Sequence, residues 1–553
     1  MTPEQLSVAI VDALNALVAS GTVSLPEVPA SVVVERPKVK DHGDYSTNVA
    51  MRLGKQAQMA PRDLAAALAE QLAKAPGVGS VEVAGPGFLN VRVDTGAQGS
   101  LAGDIVRAGS AYGITDTLGG RRVNLEFISA NPTGPLHLGH TRWAVVGDAI
   151  ARVVSAAGAQ VSTEFYVNDR GTQMDKFAAS LMAVANGDEV PEDGYHGGYV
   201  VDLAAEVVAA VPGILDLPAD EQLAAFRENG YELQLAHQKA DLATFRTVFD
   251  SWFSERSLVA SGAVDRALEV IAEEGHLYEA DGATWMRTTD FGDDKDRVLI
   301  RSNGEQTYFA SDTAYYLDKR ARGFEQCLYL LGADHHGYVG RLQAMAACAG
   351  DEPGYNLQVL IGQLVKILSD GVELKLSKRA GTLVTLSELI DMVGVDPLRY
   401  TLVRHPVDSP LTVDVAEMTR QSPDNPVYYV QYAHARLSSI LRNGADLGIV
   451  PAPDAADLSY LSTEREGDLL RALAEFPRVV ARAAELREPH RVARYLEDTA
   501  AAFHKFYDVC RVLPQGDEDV QPVHTARLVL IDATRTVLAN GLELLGVSAP
   551  ERM

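Results

Sequence analysis

Two histidines lie three residues apart, at His137 and His140, directly after a short strand candidate at residues 123–127. An apolar-periodic helix candidate follows them, so the free N–H groups and the positive end of the helix dipole point at this segment. Imidazoles placed there can donate hydrogen bonds to polyphosphate oxygens, and Gly139 leaves room for a nucleotide against the backbone. Helix-capping or surface histidines are the competing interpretation. A metal pair is disfavoured because no third ligand lies at helical spacing.

A second segment, residues 375–382, combines three cations with small residues: Lys375, Ser377, Lys378 and Arg379 are among them. A loop of this composition can close over a triphosphate and stabilise the charge that develops on departing pyrophosphate. A basic surface loop or a nucleic-acid contact is the alternative. The two segments lie 238 residues apart (375 minus 137). Together they predict ATP-dependent activation of a carboxylate.

The elements that must position these residues follow from the apolar patterns. Strand, loop, helix and strand succeed one another between residues 123 and 167, which is the opening unit of a doubly wound parallel sheet. Further strand candidates are residues 298–300, 326–331 and 357–361. The sequence from 186 to 290 is largely helical in pattern, and we interpret about 175–295 as a helical insertion. Four long helices are predicted near the C-terminus, at 427–442, 468–486, 492–512 and 525–545.

The fold class predicted is α/β: a Rossmann-type doubly wound catalytic domain, a small N-terminal α/β domain and a C-terminal α-helical bundle. A loose, glycine-containing stretch at 96–120 marks the first boundary. The predicted domains are therefore 1–118, 119–420 and 421–553.

The composition is that of a water-soluble, cytoplasmic protein. The 553 residues are 47% apolar, with no uninterrupted membrane-length run and no basic, apolar leader at the start. The three cysteines form no CxxC pair, so neither a zinc site nor a disulfide framework is expected. A net charge of −26 argues against non-specific nucleic-acid binding over the whole surface. It leaves open whether a run of arginines forms a local basic face or a helix face paired with glutamates; the run comprises Arg471, Arg478, Arg482, Arg487, Arg491 and Arg494.

The order and spacing of the two cationic segments resemble the HIGH and KMSKS signatures of class I aminoacyl-tRNA synthetases. Residues 126–140 resemble the version of the first signature found in arginyl-tRNA synthetases, and the resemblance continues along nearly the whole chain. The other matching segments are 43–48, 85–90, 166–173, 308–312, 332–336, 396–400 (a DALR-like signature), 425–434 and 549–553.

The resemblance implies an arginine site, and the chemistry of a guanidinium agrees with it. Five donors in a planar, permanently charged group require carboxylates placed for forked hydrogen bonds. The family's pattern assigns Glu126 and Asp312 to the side chain, with Tyr308 as a wall and a hydroxyl. Helix capping by Asp312 and core packing of Tyr308 are the alternatives. The remaining substrate-binding residues it implies are Ser129, Asn131, His140 and Asp334, the last on the α-amino group or a ribose hydroxyl.

The resemblance also implies the reaction and its partners. L-Arginine, ATP with Mg²⁺ and tRNA(Arg) are the partners, a monomer is expected, and bound tRNA usually precedes activation. The catalytic residues are His137, His140, Lys375 and Lys378. The ATP-binding residues add Gly139, Gly332, Asp334, His336 and Ser377. Candidate tRNA contacts are Tyr428, Tyr432, His434 and Arg436, with core packing as the alternative.

Three other classes of protein share parts of this pattern. Shorter HxGH nucleotidylyltransferases lack a helical C-terminal domain. Class I synthetases for cysteine or glutamate are a second class, and a cysteine enzyme favours a zinc-binding cysteine set. Non-catalytic RNA-binding relatives of the synthetases are the third, and intact histidine and lysine segments disfavour them.

Overall fold

The computed structural model of the protein describes residues 1–37, 39–374 and 384–553. Its N-terminal unit is a small antiparallel sheet covered by helices. Thr2 begins the first helix because its side chain accepts the Gln5 N–H while the Gln5 side chain accepts the Thr2 N–H. The strands are ordered β1-β3-β2, and buried Leu6, Leu64 and Leu89 belong to a core of this unit. Its elements are α1 (Pro3–Ala19), β1 (Tyr45–Thr47), α2 (Val49–Leu53), α3 (Pro61–Leu72), β2 (Val78–Ala84) and β3 (Phe88–Val93).

A helix, α4 (Thr95–Ala108), occupies the first half of the stretch at 96–120 that the sequence predicts to be loose. Its buried residues Leu101 and Ile105 join the core of the catalytic sheet and the C-terminal helices. Its glycines serve close packing, because a Cβ on Gly99 would lie 2.1 Å from the carbonyl oxygen of Leu458. Glycine count was therefore a misleading sign of a linker here.

The central region is built on five parallel strands in the order β11-β10-β4-β5-β6. The four strands predicted at 123–127, 161–167, 326–331 and 357–361 are confirmed to within one residue at each end. Helices lie between successive strands, as a doubly wound sheet requires. The elements in chain order are β4 (Arg122–Phe127), α5 (Leu138–Ala156), β5 (Gln160–Val167), α6 (Thr172–Asn186), α7 (Gly198–Ala210), α8 (Ala219–Thr244), β6 (Ser251–Ser254), α9 (Glu255–Ala260), α10 (Ala263–Glu273), β7 (Leu277–Ala280), β8 (Ala283–Met286), β9 (Arg297–Ile300), α11 (Tyr308–Ala321), β10 (Gln326–Gly332), α12 (Val339–Cys348), β11 (Leu357–Gly362), β12 (Val365–Ser369), β13 (Val372–Glu373), α13 (Leu386–Val393), α14 (Val395–Val403), β14 (Leu411–Asp414) and α15 (Val415–Met418).

The segment between 175 and 295 contains strands as well as helices. From α6 to α8 it consists of helices, whereas β6 joins the edge of the central sheet beside β5. The strands β7, β8 and β9 form a separate antiparallel sheet, and β9 contains the predicted strand at 298–300. The sequence pattern did not reveal β6, β7 and β8, because strands of four residues are too short to show a clear apolar period.

The C-terminal region is helical, as predicted, with one helix more than expected. The predicted helix at 468–486 is two helices that meet at Glu475, because Pro477 lacks the N–H that a continuous helix needs and suits a first turn. The helices are α16 (Pro426–Asp446), α17 (Glu464–Ala474), α18 (Phe476–Leu486), α19 (His490–Tyr507) and α20 (Pro522–Leu544).

Buried and half-buried arginines tie the three regions together. Arg399 on α14 is fully buried, forms an ion pair with Asp148 on α5 and donates to the carbonyl oxygens of Phe245 (2.7 Å) and Leu545 (3.1 Å). Arg471 binds Asp44 of the N-terminal unit at 2.8 Å.

The arginines that the sequence assigns either to a basic face or to a paired helix face pair mostly with carboxylates. Arg482 binds Glu485 and Arg491 binds Glu488, while Arg478 donates to the Val34 carbonyl oxygen at 2.6 Å and pairs with Glu475. The paired helix face is thus the better interpretation of this run. In the described part of the chain, no helix combines the length and the apolar character that a membrane crossing demands.

Candidate functional site

The two histidines of the early segment cap α5 and each other. The backbone N–H of Gly139 donates to His137 Nδ1 at 3.1 Å, and the backbone N–H of His137 donates to His140 Nδ1 at 3.2 Å. Their ring centroids are 3.9 Å apart. The capping interpretation is therefore correct as local structure. It also places both imidazoles at the positive end of the helix, where an anion is stabilised.

The residues that follow the late segment lie against this helix terminus. Lys375, Ser377 and Lys378 lie outside the described residues, but the residues that follow them are placed beside the histidines. The Leu138 N–H donates to the Val384 carbonyl oxygen at 3.3 Å, and the Leu386 N–H donates to the Leu136 carbonyl oxygen at 2.9 Å. A β-bridge also pairs His137 with Thr385. Residues 136–138 and residues 384–386, which are far apart in the sequence, thus meet through backbone contacts.

The carboxylates predicted to bind a guanidinium lie at the same edge of the sheet. Glu126 is near the C-terminal end of β4, and Asp312 lies on α11, which leads into the neighbouring strand β10. Burial raises the pKa of Asp312 to about 6, the hydroxyl of Tyr338 donates to it and lowers the pKa, and the charges of Glu126 and Glu255 raise it. An acidic enclosure of this kind stabilises a bound cation.

Ser129 lies in a strained turn that holds Glu126. Ile128 and Ser129 have positive φ angles of 70° and 47°, which non-glycine residues rarely adopt. The Ser129 hydroxyl donates to Glu126 Oε1 at 3.0 Å and accepts the N–H of Tyr166 at 3.2 Å. Strain retained by specific hydrogen bonds is typical of a functional site.

Asn131 and the turn after it are supported by the insertion. The Asn131 side chain donates to Gln173 Oε1 at 2.6 Å. Gln238, fully buried on α8, donates to the carbonyl oxygens of Asn131 (3.1 Å) and Gly134 (2.8 Å). The helices of the insertion therefore position the turn that precedes the histidines.

The other predicted residues of the nucleotide and arginine sites lie along the same edge. Tyr308 begins α11 and is 79% exposed. Gly332 ends β10, and Asp334 and His336 follow it in an exposed 3-10 helix, where Asp334 approaches His335 Nε2 at 3.5 Å. Because β10 pairs in parallel with β4, these residues and Glu126 share one edge of the sheet.

Sequence reasoning missed several residues of this region. Glu255 follows β6, is buried, and burial raises the pKa of its carboxyl. A cavity of about 340 Å³ beside the turn is lined by Asn131, His140, His196, Asp202 and Glu388, among others. The glutamate was hidden because β6 was not recognised. The insertion residues give no sequence signal, since only folding brings them to the histidines.

An aromatic surface lies on the C-terminal helices. Tyr428 and Tyr432 on α16 are stacked with centroids 6.0 Å apart, and Tyr432 is stacked with His504 of α19 at 6.3 Å. Tyr432 is 39% exposed, and Arg436 lies 4.5 Å from the ring centroid of Tyr507. We call Tyr428, Tyr432 and His504 the aromatic ladder.

His434 does not belong to that surface. It is 2% exposed, and its Nδ1 lies 2.8 Å from the Pro550 carbonyl oxygen. This burial favours core packing, the alternative interpretation, over a tRNA contact for His434. His504 was missed, because α16 and α19 are far apart in sequence.

Comparison with known proteins first identifies the class of the catalytic region. Residues 107–193 match the family model described as "tRNA synthetases class I (R), catalytic domain". The structure of the arginyl-tRNA synthetase of Thermus thermophilus has the same fold, with a TM-score of 0.75 over 100% of both chains at 24% identity. With a parallel sheet and histidines at its first helix, the catalytic region is that of a class I aminoacyl-tRNA synthetase.

The flanking regions and the curated relatives give the family. Residues 4–93 match "Arginyl tRNA synthetase N terminal domain" and residues 430–553 match "DALR anticodon binding domain". The chain is 58% identical over 555 residues to the arginine–tRNA ligase of Kineococcus radiotolerans and 56% identical over 553 residues to that of Frankia alni, with 100% of each chain covered. The chain belongs to the arginyl-tRNA synthetase family.

Proposed function

We propose that both half-reactions of arginine–tRNA ligation take place at the C-terminal edge of the central sheet. The chain attaches L-arginine to tRNA(Arg) with ATP as co-substrate. The arginine carboxylate attacks the α-phosphorus of ATP, which releases pyrophosphate and leaves arginyl-adenylate. The terminal ribose of tRNA then attacks the arginyl carbonyl and releases AMP. No protein nucleophile is needed, so catalysis comes from positioning and charge stabilisation.

The acidic enclosure beside the helix terminus is the observation that supports this assignment. Asp312 and Glu126 are the proposed acceptors for the guanidinium, and Tyr308 is the proposed wall. Ser129 and Asn131 are the proposed holders of the backbone groups. A pocket of buried carboxylates rejects lysine and citrulline, because either substrate leaves acceptors without donors.

The nucleotide is proposed to bind across the N-terminus of α5. His137 and His140 contact the phosphates, Gly139 and Gly332 allow close approach of the backbone, and Asp334 and His336 hold the ribose side. We assign the pyrophosphate to Lys375 and Lys378, with Ser377 beside it and Mg²⁺ carried by ATP itself. The contact of residues 384–386 with the histidines supports this placement.

The tRNA is proposed to contact two further regions. The aromatic ladder and Arg436 stack on splayed anticodon bases, for which exposed, parallel rings are suited. We propose domains at 1–118, 119–420 and 421–553, with the first as a second tRNA contact.

We also propose that the protein acts as a cytoplasmic monomer, which sedimentation and fractionation would test.

Arginine-dependent exchange of pyrophosphate into ATP tests the activity. We expect exchange with arginine when tRNA(Arg) is present and none with lysine or citrulline. The matched control is the variant His137→Ala with His140→Ala, which should fold and lose exchange. Absence of arginine-dependent exchange with tRNA present would contradict the proposal.

A further inference from the structure

A buried lysine lies behind the proposed arginine site. Lys319 on α11 is 0% exposed, and its Nζ lies 2.6 Å from Glu126 Oε2 and 3.8 Å from Glu164 Oε1. The ring centroids of Tyr315 and Tyr329 lie 4.2 and 4.0 Å from the same nitrogen. A buried ammonium with two carboxylates and two aromatic faces is fully compensated.

The sheet register explains why a cation is needed at this point. Glu126 on β4 pairs directly with Glu164 on β5, so two buried carboxylates face each other on adjacent strands. Like charges directly opposite are destabilising. Glu164 already accepts two bonds from Arg322, at 2.6 and 3.0 Å, and one from the Tyr315 hydroxyl at 2.7 Å. The shorter contact of Lys319 is therefore with Glu126.

Both oxygens of Glu126 are consequently held. Lys319 donates to Oε2 and Ser129 donates to Oε1, while Ser129 is itself fixed by the Tyr166 N–H. The carboxylate cannot rotate without breaking one of these bonds. Its orientation towards the substrate space is thus set by the protein rather than by the substrate.

We propose that Lys319 is a positioning residue for arginine recognition, which holds Glu126 in the orientation that the guanidinium needs. This inference rests on the proposed arginine site. Asp312 lies seven residues before Lys319, on the same face of α11, so one helix supplies both a proposed ligand and the support of the other ligand. Lys319 contacts Glu126, which is a proposed ligand of the substrate, and does not contact the substrate itself.

The variant Lys319→Met tests the proposal because it keeps the side-chain volume and removes the charge. Leaving a buried carboxylate without its partner should raise the KM for arginine at least about 30-fold in the tRNA-dependent exchange assay. The KM for ATP should stay within about threefold of the wild-type value, since no nucleotide contact changes. The control Lys176→Met removes a lysine whose ion pair with Asp193 is exposed, and both KM values should be unchanged.

A second variant keeps the proposal falsifiable if the first does not fold. In Lys319→Met combined with Glu164→Gln, one positive and one negative charge are removed together, which buried pairs tolerate better than the loss of one member. Glu126 then lacks the Lys319 donor, while the net charge of the buried cluster is unchanged. The KM for arginine should therefore lie between those of the wild type and the single variant. A wild-type KM for arginine in either variant would overturn the proposal, as would a parallel rise in both KM values. Failure of the proposed function is a different result: the wild-type protein itself would show no arginine-dependent exchange.

Discussion

Replacing Asp312 with asparagine removes one negative charge from the proposed guanidinium site and keeps the shape of the side chain. The hydroxyl of Tyr338 retains an acceptor in the amide oxygen. Glu126 stays in place, held by Lys319 and Ser129. The change therefore isolates the contribution of one carboxylate to arginine binding.

The magnitude follows from burial and charge. Truncating one partner of a buried, hydrogen-bonded ion pair costs about 2–5 kcal/mol, and the middle of that range corresponds to about 300-fold in affinity. The pKa of Asp312 is raised to about 6, so the carboxylate is mostly ionised at neutral pH and the full effect appears there. On the proposed assignment, arginine binds the ionised carboxylate of Asp312. Its affinity in the wild-type protein should be nearly constant well above about pH 6 and should fall up to tenfold per unit below that value.

The assay is tRNA-dependent exchange at saturating ATP, with the KM for arginine followed between about pH 5.5 and 8. In Asp312→Asn the KM should be high and its acidic rise should be lost, because the titrating group is gone. The control Asp265→Asn changes an exposed carboxylate on α10 and should behave as the wild type. The reasoning is refuted if the wild-type KM is constant across this range, or if the asparagine variant keeps the acidic rise.

Three further predictions concern the packing of the fold and the aromatic ladder. Arg399→Leu should lower the stability by about 3 kcal/mol, since it removes a buried guanidinium that joins the central region to the C-terminal region, and thermal unfolding would show an earlier transition for the C-terminal helices. Unchanged unfolding would contradict this role. Gly362→Ala should destabilise by at least about 2 kcal/mol, because the added Cβ would lie 1.8 Å from the Trp143 ring; a denaturation midpoint equal to that of the wild type would show that the ring moves freely. Tyr432→Ala should weaken tRNA(Arg) binding about tenfold in a filter assay, while Tyr460→Ala, on another exposed surface, serves as the matched control. Equal binding by both variants would remove the aromatic ladder from the proposed interface.

Local pattern was sufficient for the strands of the sheet core and failed for short or glycine-rich elements. The strand at 123–127 is a compact apolar run beside a turn, so its burial is visible in the sequence. The strand Ser251–Ser254 is four residues long and shows no period. The helix Thr95–Ala108 was hidden by glycines that are present for close approach to Leu458, a contact that depends on a partner far along the chain.

The candidate site divides in the same way. Glu126, Asn131, His137 and Asp312 could be proposed from the sequence because their motifs lie in continuous segments. Folding alone revealed Glu255, which comes from a strand that the sequence did not show. It also separated the exposed Tyr432 from its neighbour His434, which is buried against the chain end.

The sequence by itself determined the reaction class and the family. Each of these depends on short segments and on their order along the chain. Only the tertiary structure decided which cation compensates Glu126, which carboxylate has a raised pKa and which aromatic rings stack. These properties depend on strand register and on distances between residues that are remote in sequence, and burial multiplies the energy of every such contact. Lys319 is 193 residues from Glu126, and no pattern in the chain pairs them before the sheet forms.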